Sequence, residues 1–251
     1  MDRTLQQKSE ALQAASAGRL PAEVIEAFAR DRESLAARGA PDAVTAGAVL
    51  EDFTLADATG EDVSLSDLVA EGPAVLVFYR GGWCPYCNLA LRHYQAELVP
   101  ELPRHKATMV AITPQTPDES LSTVEKHGLE FPVLTDTGLR LADRLGIAFE
   151  PSPESQAAQL ELGLDIRDGN AERAPRLPMP TVLVVDSDRV VRFADIHPDY
   201  ATRTEVAAIL AVLAGLSPAP SAAEITGATS SPATGAPRNE SRLSQRQKES
   251  T

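Results

Sequence analysis

The sequence predicts an α/β fold, a central and mostly parallel sheet with helices packed on its faces. Three observations predict it. Two runs, 74–79 (AVLVFY) and 107–113 (ATMVAIT), are almost continuously apolar, as strands buried on both faces must be. Each is followed, after a break, by a segment with apolar residues at helical spacing. A third run, Thr181 to Val185, is joined to Val190–Phe193 through Asp186-Ser187-Asp188 and leads into a last amphipathic segment. Strand–helix alternation closed by a hairpin and a helix describes an α/β sandwich.

The elements follow in chain order. Leu5 to Ala17 and Pro21 to Ala37 have helical periodicity, Pro21 suiting a first turn and Gly39 a stop. They form a helical N-terminal arm, residues 1–46, that either packs on the domain or mediates a homodimer. Short strands at Phe53-Thr54-Leu55 and Val63-Ser64-Leu65 flank the turn Ala58-Thr59-Gly60-Glu61, and a short helix starts at Ser66. The strand Ala74–Tyr79 is broken by Arg80-Gly81-Gly82, and Pro85 opens a helix to about Leu98 that Pro100 and Pro103 end. After the strand Ala107–Thr113 come a helix from Pro117 to His127, a strand at Phe131–Leu134 and a helix from Gly138 to Leu145. Residues 147–179 read as irregular, with a weak helix at Glu154–Glu161. The hairpin follows, then a helix from Thr202 to Gly215. The ordered domain is 47–216. Residues 217–251, rich in Ser, Ala, Pro, Thr and Gly, read as a disordered tail, because they cannot bury enough apolar surface to offset chain entropy.

The chain has 251 residues, 43% of them hydrophobic, and a net charge of -13. That acidity makes nucleic acid a poor partner. The first residues carry no apolar signal core, and no run is long enough to span a bilayer, so a cytoplasmic protein without membrane contact is expected. In that compartment a close cysteine pair is more often catalytic or metal-binding than structural.

The only two cysteines, Cys84 and Cys87, lie in Trp83-Cys84-Pro85-Tyr86-Cys87. With Pro85 as the first helical residue, Cys84 is the N-cap. Its sulfur would then face unpaired first-turn N–H groups, which with the helix dipole favour a thiolate. Cys87 lies one turn on, on the same face, so the two can close one disulfide. Zinc needs about four ligands, and beside two thiols the chain offers only the scattered His93, His105, His127 and His197. No metal and no cofactor is expected. Pro180, in Leu177-Pro178-Met179-Pro180-Thr181, fits the first residue of a strand, where a missing N–H costs nothing.

Together these residues resemble the thioredoxin superfold, and more closely the peroxiredoxin-like branch of the alkyl hydroperoxide reductase/thiol-specific antioxidant family. The resemblance covers about Gly47 to Leu213. Its carriers are Phe53-Thr54-Leu55, Gly60, the segment Val77 to Cys87, Phe131-Pro132-Val133-Leu134, and Asp199-Tyr200 to Arg203. It implies a thioredoxin-like fold whose central mixed sheet is flanked by helices, with catalytic Cys87 and Cys84. Trp83, Pro85, Tyr86, Pro180, Thr181 and Arg80 would support them. It also implies that Met179-Pro180-Thr181 faces the dithiol, and it favours a cis bond before Pro180, which the sequence pattern alone reads as an ordinary trans proline. Two departures stand out. Aligning the peroxidatic cysteine with Cys87 puts Arg80 where the family has Pro and Cys84 where it has Thr. Pro180 then falls near the place of the family's distant Arg, which leaves Arg80, Arg92 or Arg176 to supply the charge.

The resemblance implies a thiol-dependent peroxidase, recycled by a thioredoxin- or glutathione-type donor. Cys87 would attack a hydroperoxide and Cys84 would resolve the sulfenic acid. The alternatives are a thioredoxin- or glutaredoxin-like disulfide reductase with Cys84 as nucleophile, and a redox-sensing interaction module. The N-cap position favours Cys84 as the more acidic thiol, and the family alignment favours Cys87.

Overall fold

The computed structural model describes residues 3–16 and 18–216; the expected disordered tail at 217–251 lies outside them. In chain order the helices are α1 (Leu5–Ser16), α2 (Ala22–Arg38), α3 (Leu65–Leu68), α4 (Pro85–Glu97), α5 (Pro117–His127), α6 (Arg140–Arg144), α7 (Pro153–Glu161), α8 (Ile166–Gly169) and α9 (Val206–Leu216). The strands are β1 (Thr54–Asp57), β2 (Asp62–Ser64), β3 (Ala74–Phe78), β4 (Thr108–Thr113), β5 (Val133–Thr135), β6 (Ala148–Phe149), β7 (Leu177–Pro178), β8 (Thr181–Val185) and β9 (Val191–Ile196).

Seven strands form one mixed sheet in the order β2-β1-β5-β4-β3-β8-β9. β3 is parallel to β4, and β4 to β5, whereas β8 runs antiparallel to both β3 and β9. All five residues of β3 are buried, and they alternate between two apolar layers. Ala74, Leu76 and Phe78 join the layer holding Leu65, Leu139 and Leu141. Val75 and Val77 join the one holding Leu91, Tyr94, Ile209 and Leu213. The period-2 geometry of a strand therefore feeds a core on each face of the sheet, and α4 with α9 covers the face on which Cys84 and Cys87 lie. No described helix is long and apolar enough to cross a membrane.

The N-terminal helices pack on the rest of the chain. Leu5 of α1 is wholly buried in the same layer as the cysteines. Glu205 caps α1 by accepting from the N–H groups of Leu5 and Gln6, at 3.1 and 2.9 Å. α2 stops where Gly39 takes a left-handed φ of 64°. It buries Val24 and Ala27 against Ala158 of α7, and its Asp31 accepts from the N–H of Ser152, the α7 N-cap, at 2.8 Å.

Three expectations are corrected. Residues 147–179 are not irregular, since β6 pairs with β7 and the short helix α8 lies between them. The last helix begins at Val206 and not at Thr202, because the carbonyls of Tyr200 and Thr202 both accept from the Arg203 guanidinium. There is no cis peptide bond among the described residues, so the bond before Pro180 is trans. β7 runs into β8 across Met179 and Pro180, with Met179 N–H held by the Ile147 carbonyl at 2.7 Å. The chain stays extended there and needs no sharp reversal.

Candidate active site

Strand β3 ends at Phe78, and six residues later Cys84 caps α4. The backbone between them is drawn tight by two glycines. Gly81 sits at φ +152°, and a Cβ on it would lie 2.5 Å from Trp83 Nε1. A Cβ on Gly82 would lie 2.2 Å from Thr123 Oγ1. Gly82 donates its N–H to Gln115 Oε1 at 2.6 Å and accepts from Asn88 Nδ2 at 2.7 Å. Only glycine permits both the left-handed backbone and these approaches. The result is that α4 starts directly above the end of the central strand.

Cys84 is the N-cap of α4, with φ -83° and ψ 115°, and Pro85 stands in its first turn. Its sulfur, however, accepts no hydrogen bond from the first-turn N–H groups. The expected helix-terminus activation of Cys84 is therefore absent: the backbone is placed for it but the side chain points elsewhere. Both cysteines are free thiols and both are buried.

The two sulfurs differ in their electrostatic surroundings. Arg203 Nη2 donates to Cys87 Sγ at 3.1 Å, and the Arg203 side chain is itself buried. Burial works against a Cys87 thiolate. A hydrogen bond from Cys84, the charges of Arg203 and Arg80, and the Arg80 backbone together outweigh it and hold Cys87 well below the usual thiol range. Burial pushes Cys84 well above that range, and its contact with the Cys87 charge pushes it further. These directions favour the negative charge on Cys87 over Cys84. This reverses the order that the N-cap position suggested.

Arg203 was not among the residues expected at the site, although it ends the Asp199-Tyr200 stretch that carried the family resemblance. Of the three arginines expected to supply a charge, only Arg80 is present. Its Nη1 approaches Cys84 Sγ at 3.9 Å, and its guanidinium lies 3.9 Å over the Tyr200 ring and 5.0 Å from the Trp83 ring. Arg92 donates to the Asn88 carbonyl on the outside of α4, and Arg176 pairs with Asp143. The loop that carries Arg203 is held on several sides. His197 bridges its two flanks, Nδ1 to Thr202 Oγ1 at 2.7 Å and Nε2 to Thr204 Oγ1 and Asp195 Oδ2, both at 3.2 Å. Tyr94 donates to the Thr204 carbonyl at 2.8 Å, and Ser9 of α1 donates to the Ala201 carbonyl.

The other supporting residues divide between two spaces. Thr181, paired with Phe78 across the sheet, lines a void of about 10 Å³ together with Cys87, Arg203 and His197. Pro180, just before it, accepts from the His197 N–H through its carbonyl. Trp83, Pro85 and Tyr86 line a much larger cavity, about 720 Å³, that reaches Cys84 but not Cys87. Among the described residues no cluster of His, Cys, Asp and Glu could hold a metal ion.

The model of the AhpC/TSA family matches residues 46–194. The thiol-disulfide oxidoreductase ResA of Halalkalibacterium halodurans is 31% identical over 103 residues, 41% of this chain and 57% of its own. A Mycobacterium tuberculosis protein with a provisional peroxiredoxin name is 30% identical over 101 residues, 40% of this chain and 65% of its own. The match thus spans less than two-thirds of either relative. Among solved structures, the peroxidoxin BcpB of Mycobacterium tuberculosis superposes with a TM-score of 0.54 at 24% identity, over 69% of this chain and 98% of that one. A thiol peroxidase of Chromobacterium violaceum also gives a TM-score of 0.54, at 18% identity, over 69% of this chain and 88% of that one. These two show a shared fold, the thioredoxin-like fold expected from the resemblance.

Proposed function

The chain belongs to the AhpC/TSA family, and from that membership we propose that it is a two-cysteine thiol peroxidase in which Cys87 strikes and Cys84 resolves. The observation that carries this reading is the 3.1 Å contact between Arg203 and Cys87 Sγ inside a buried site. It supplies the positive charge that the family pattern requires, from a loop where the sequence pattern did not place it. A thiolate is the attacking species, and a guanidinium beside it also favours the negative charge that develops on the departing oxygen.

The Cys87 thiolate attacks one peroxide oxygen. An S–O bond forms as the O–O bond breaks, so the sulfur is oxidised by two electrons and the peroxide is reduced. The departing oxygen takes a proton, which the adjacent Cys84 thiol can supply, and leaves as water or an alcohol. The Cys84 thiolate so formed attacks the Cys87 sulfenic sulfur. The S–S bond replaces the S–O bond, and the expelled hydroxide is protonated to water. A thioredoxin- or glutathione-type donor would then reduce the Cys84–Cys87 disulfide by thiol–disulfide exchange.

A second reading rests on a different observation. Cys84, not Cys87, lines the large cavity, so a disulfide substrate would meet Cys84 first, as in a thiol–disulfide oxidoreductase. Its raised pKa opposes this, because Cys84 would attack as the minority thiolate. Stopped-flow mixing with hydrogen peroxide decides between them, using the fluorescence of Trp83, the single tryptophan. The fast phase should survive Cys84→Ser and vanish in Cys87→Ser. A wild-type protein that ignores peroxide yet reduces insulin through Cys84 overturns the peroxidase.

A further inference from the structure

The 720 Å³ cavity beside Cys84 is of the size that holds small organic ligands. Helices α1 and α2, outside the segment matched to the family, build one side of it. Its walls are largely apolar, with Leu20, Ile25 and Phe28 from the arm facing Trp83, Leu162 and Leu164.

Three arginines break this apolar lining: Arg19, which is exposed, and Arg80 and Arg32. Arg80 is 3% exposed, and its Nε is buried without a hydrogen-bond partner. It stands on the faces of Tyr200 and Trp83 and approaches Cys84. Arg203 stands 3.1 Å from Cys87 Sγ, whereas Arg80 stands 3.9 Å from Cys84 Sγ and lines the cavity. Arg32 of α2 also lines the cavity, and its Nε is likewise buried and unpartnered. Its two Nη groups reach only the side-chain oxygen of Gln13, at 3.2 and 3.0 Å, once that amide is oriented to accept. No carboxylate pairs with either arginine among the described residues. The only acid in the lining is Glu10, which accepts from Gln6 on its own helix at 2.9 Å. A buried guanidinium without an anion is costly, and planar guanidinium groups favour carboxylates.

We propose that this cavity binds an anionic amphiphile, a single apolar chain ending in a carboxylate. The head would sit on Arg32 and Arg80, and the chain would lie along Leu20, Ile25, Leu162 and Leu164. Such a ligand satisfies the two orphan cations and the apolar walls together. Glutathione, polar along its whole length, satisfies only the cations. If the peroxidase reading above holds, the ligand lies beside the resolving Cys84, because the cavity reaches that sulfur and not Cys87.

Laurate is the probe, titrated below its micelle concentration into the reduced full-length protein and followed by calorimetry. Laurate should bind, and dodecanol should bind about tenfold more weakly or worse, as expected when a charge-assisted contact is lost. Arg32→Met should weaken laurate by a similar factor without changing the hydrogen peroxide phase, and Arg32→Lys should recover part of the affinity. Ile25→Trp, which fills the cavity, should also abolish binding. Equal affinity for laurate and dodecanol, tighter binding of glutathione than of laurate, or no effect of either variant overturns the site. Laurate binding through Arg32 in a protein that ignores peroxide keeps the site and removes only its place beside a resolving thiol. A fast peroxide phase without laurate binding removes the site and leaves the peroxidase.

Discussion

Cys84 and Cys87 are one helical turn apart, and both are buried, yet their surroundings are opposites. Cys87 faces inward to Arg203, a cation fixed by a braced loop and enclosed in a space of about 10 Å³. Cys84 faces a cavity of about 720 Å³ and an arginine whose Nε has no partner. Burial raises the pKa of both thiols, so burial cannot be what separates them. What separates them is the direction of the hydrogen bond between the two thiols and how close a guanidinium comes, 3.1 Å for Arg203 at Cys87 against 3.9 Å for Arg80 at Cys84. Distance counts, because the interaction of charges in a low-dielectric interior grows as they close. The two surroundings thus suit different tasks: one favours charge on an enclosed sulfur, and the other places a sulfur beside a cavity.

The strongest way to break this contrast is to remove the inner arginine. Arg203→Met should raise the Cys87 pKa, so that less thiolate remains at pH 7 and the peroxide rate falls on the order of tenfold or more. Arg80→Met should cost much less, since its nearer sulfur, Cys84, is already neutral. The second-order rate with hydrogen peroxide, measured for both variants at pH 7, checks the asymmetry. Equal losses would show that the two arginines act as one field and not one per sulfur.

The pH dependence sharpens the same contrast. Because the thiolate reacts, and because the Cys87 pKa is lowered, its alkylation rate should be near its plateau at neutral pH and fall as pH drops through that lowered pKa. Cys84, raised by burial and by its charged neighbour, should label only well into the alkaline range. Differential alkylation of the wild type, read by mass spectrometry at each cysteine, gives both curves. Cys84 titrating first would restore the helix-terminus activation that its N-cap position suggested.

The central sheet was legible because its strands are short, uniformly apolar runs, and a run such as Thr181–Val185 has no other economical use. The start of α4 was legible from Pro85, and with it the N-cap role of Cys84. The direction of the Cys84 sulfur was not, because a side-chain rotamer is decided by packing that no local pattern encodes. β6 and β7 escaped because each has only two residues, too few to show alternation. Arg203 escaped for a related reason. Thr202-Arg203-Thr204-Glu205 ahead of an apolar helix reads as an ordinary first turn. Only the long-range contacts to Cys87, Tyr94 and Ser9 turn that stretch into a loop with its arginine inward. Arg92 and Arg176, which looked equally eligible, are committed to the Asn88 carbonyl and to Asp143.

The smallest expected effect tests how firmly that loop is aimed. His197 touches neither sulfur in any hydrogen bond, but it ties Thr202 and Thr204 on either side of Arg203 and is itself held by Asp195. The His197 contact in turn holds the Asp195 carboxyl below the usual carboxylate range. It is a positioning residue: losing it should let Arg203 move away from Cys87 without removing its charge. His197→Ala should therefore slow the peroxide reaction only a few-fold at pH 7, since about half a pKa unit is a factor of roughly three. The midpoint of the Cys87 alkylation curve should rise by a matching amount, and His197→Asn, which retains one donor and one acceptor, should recover part of the shift. A variant that loses thermal stability but keeps the wild-type midpoint would make His197 a purely structural brace. The aim of Arg203 would then rest on Tyr94 and on the N-terminal helix α1.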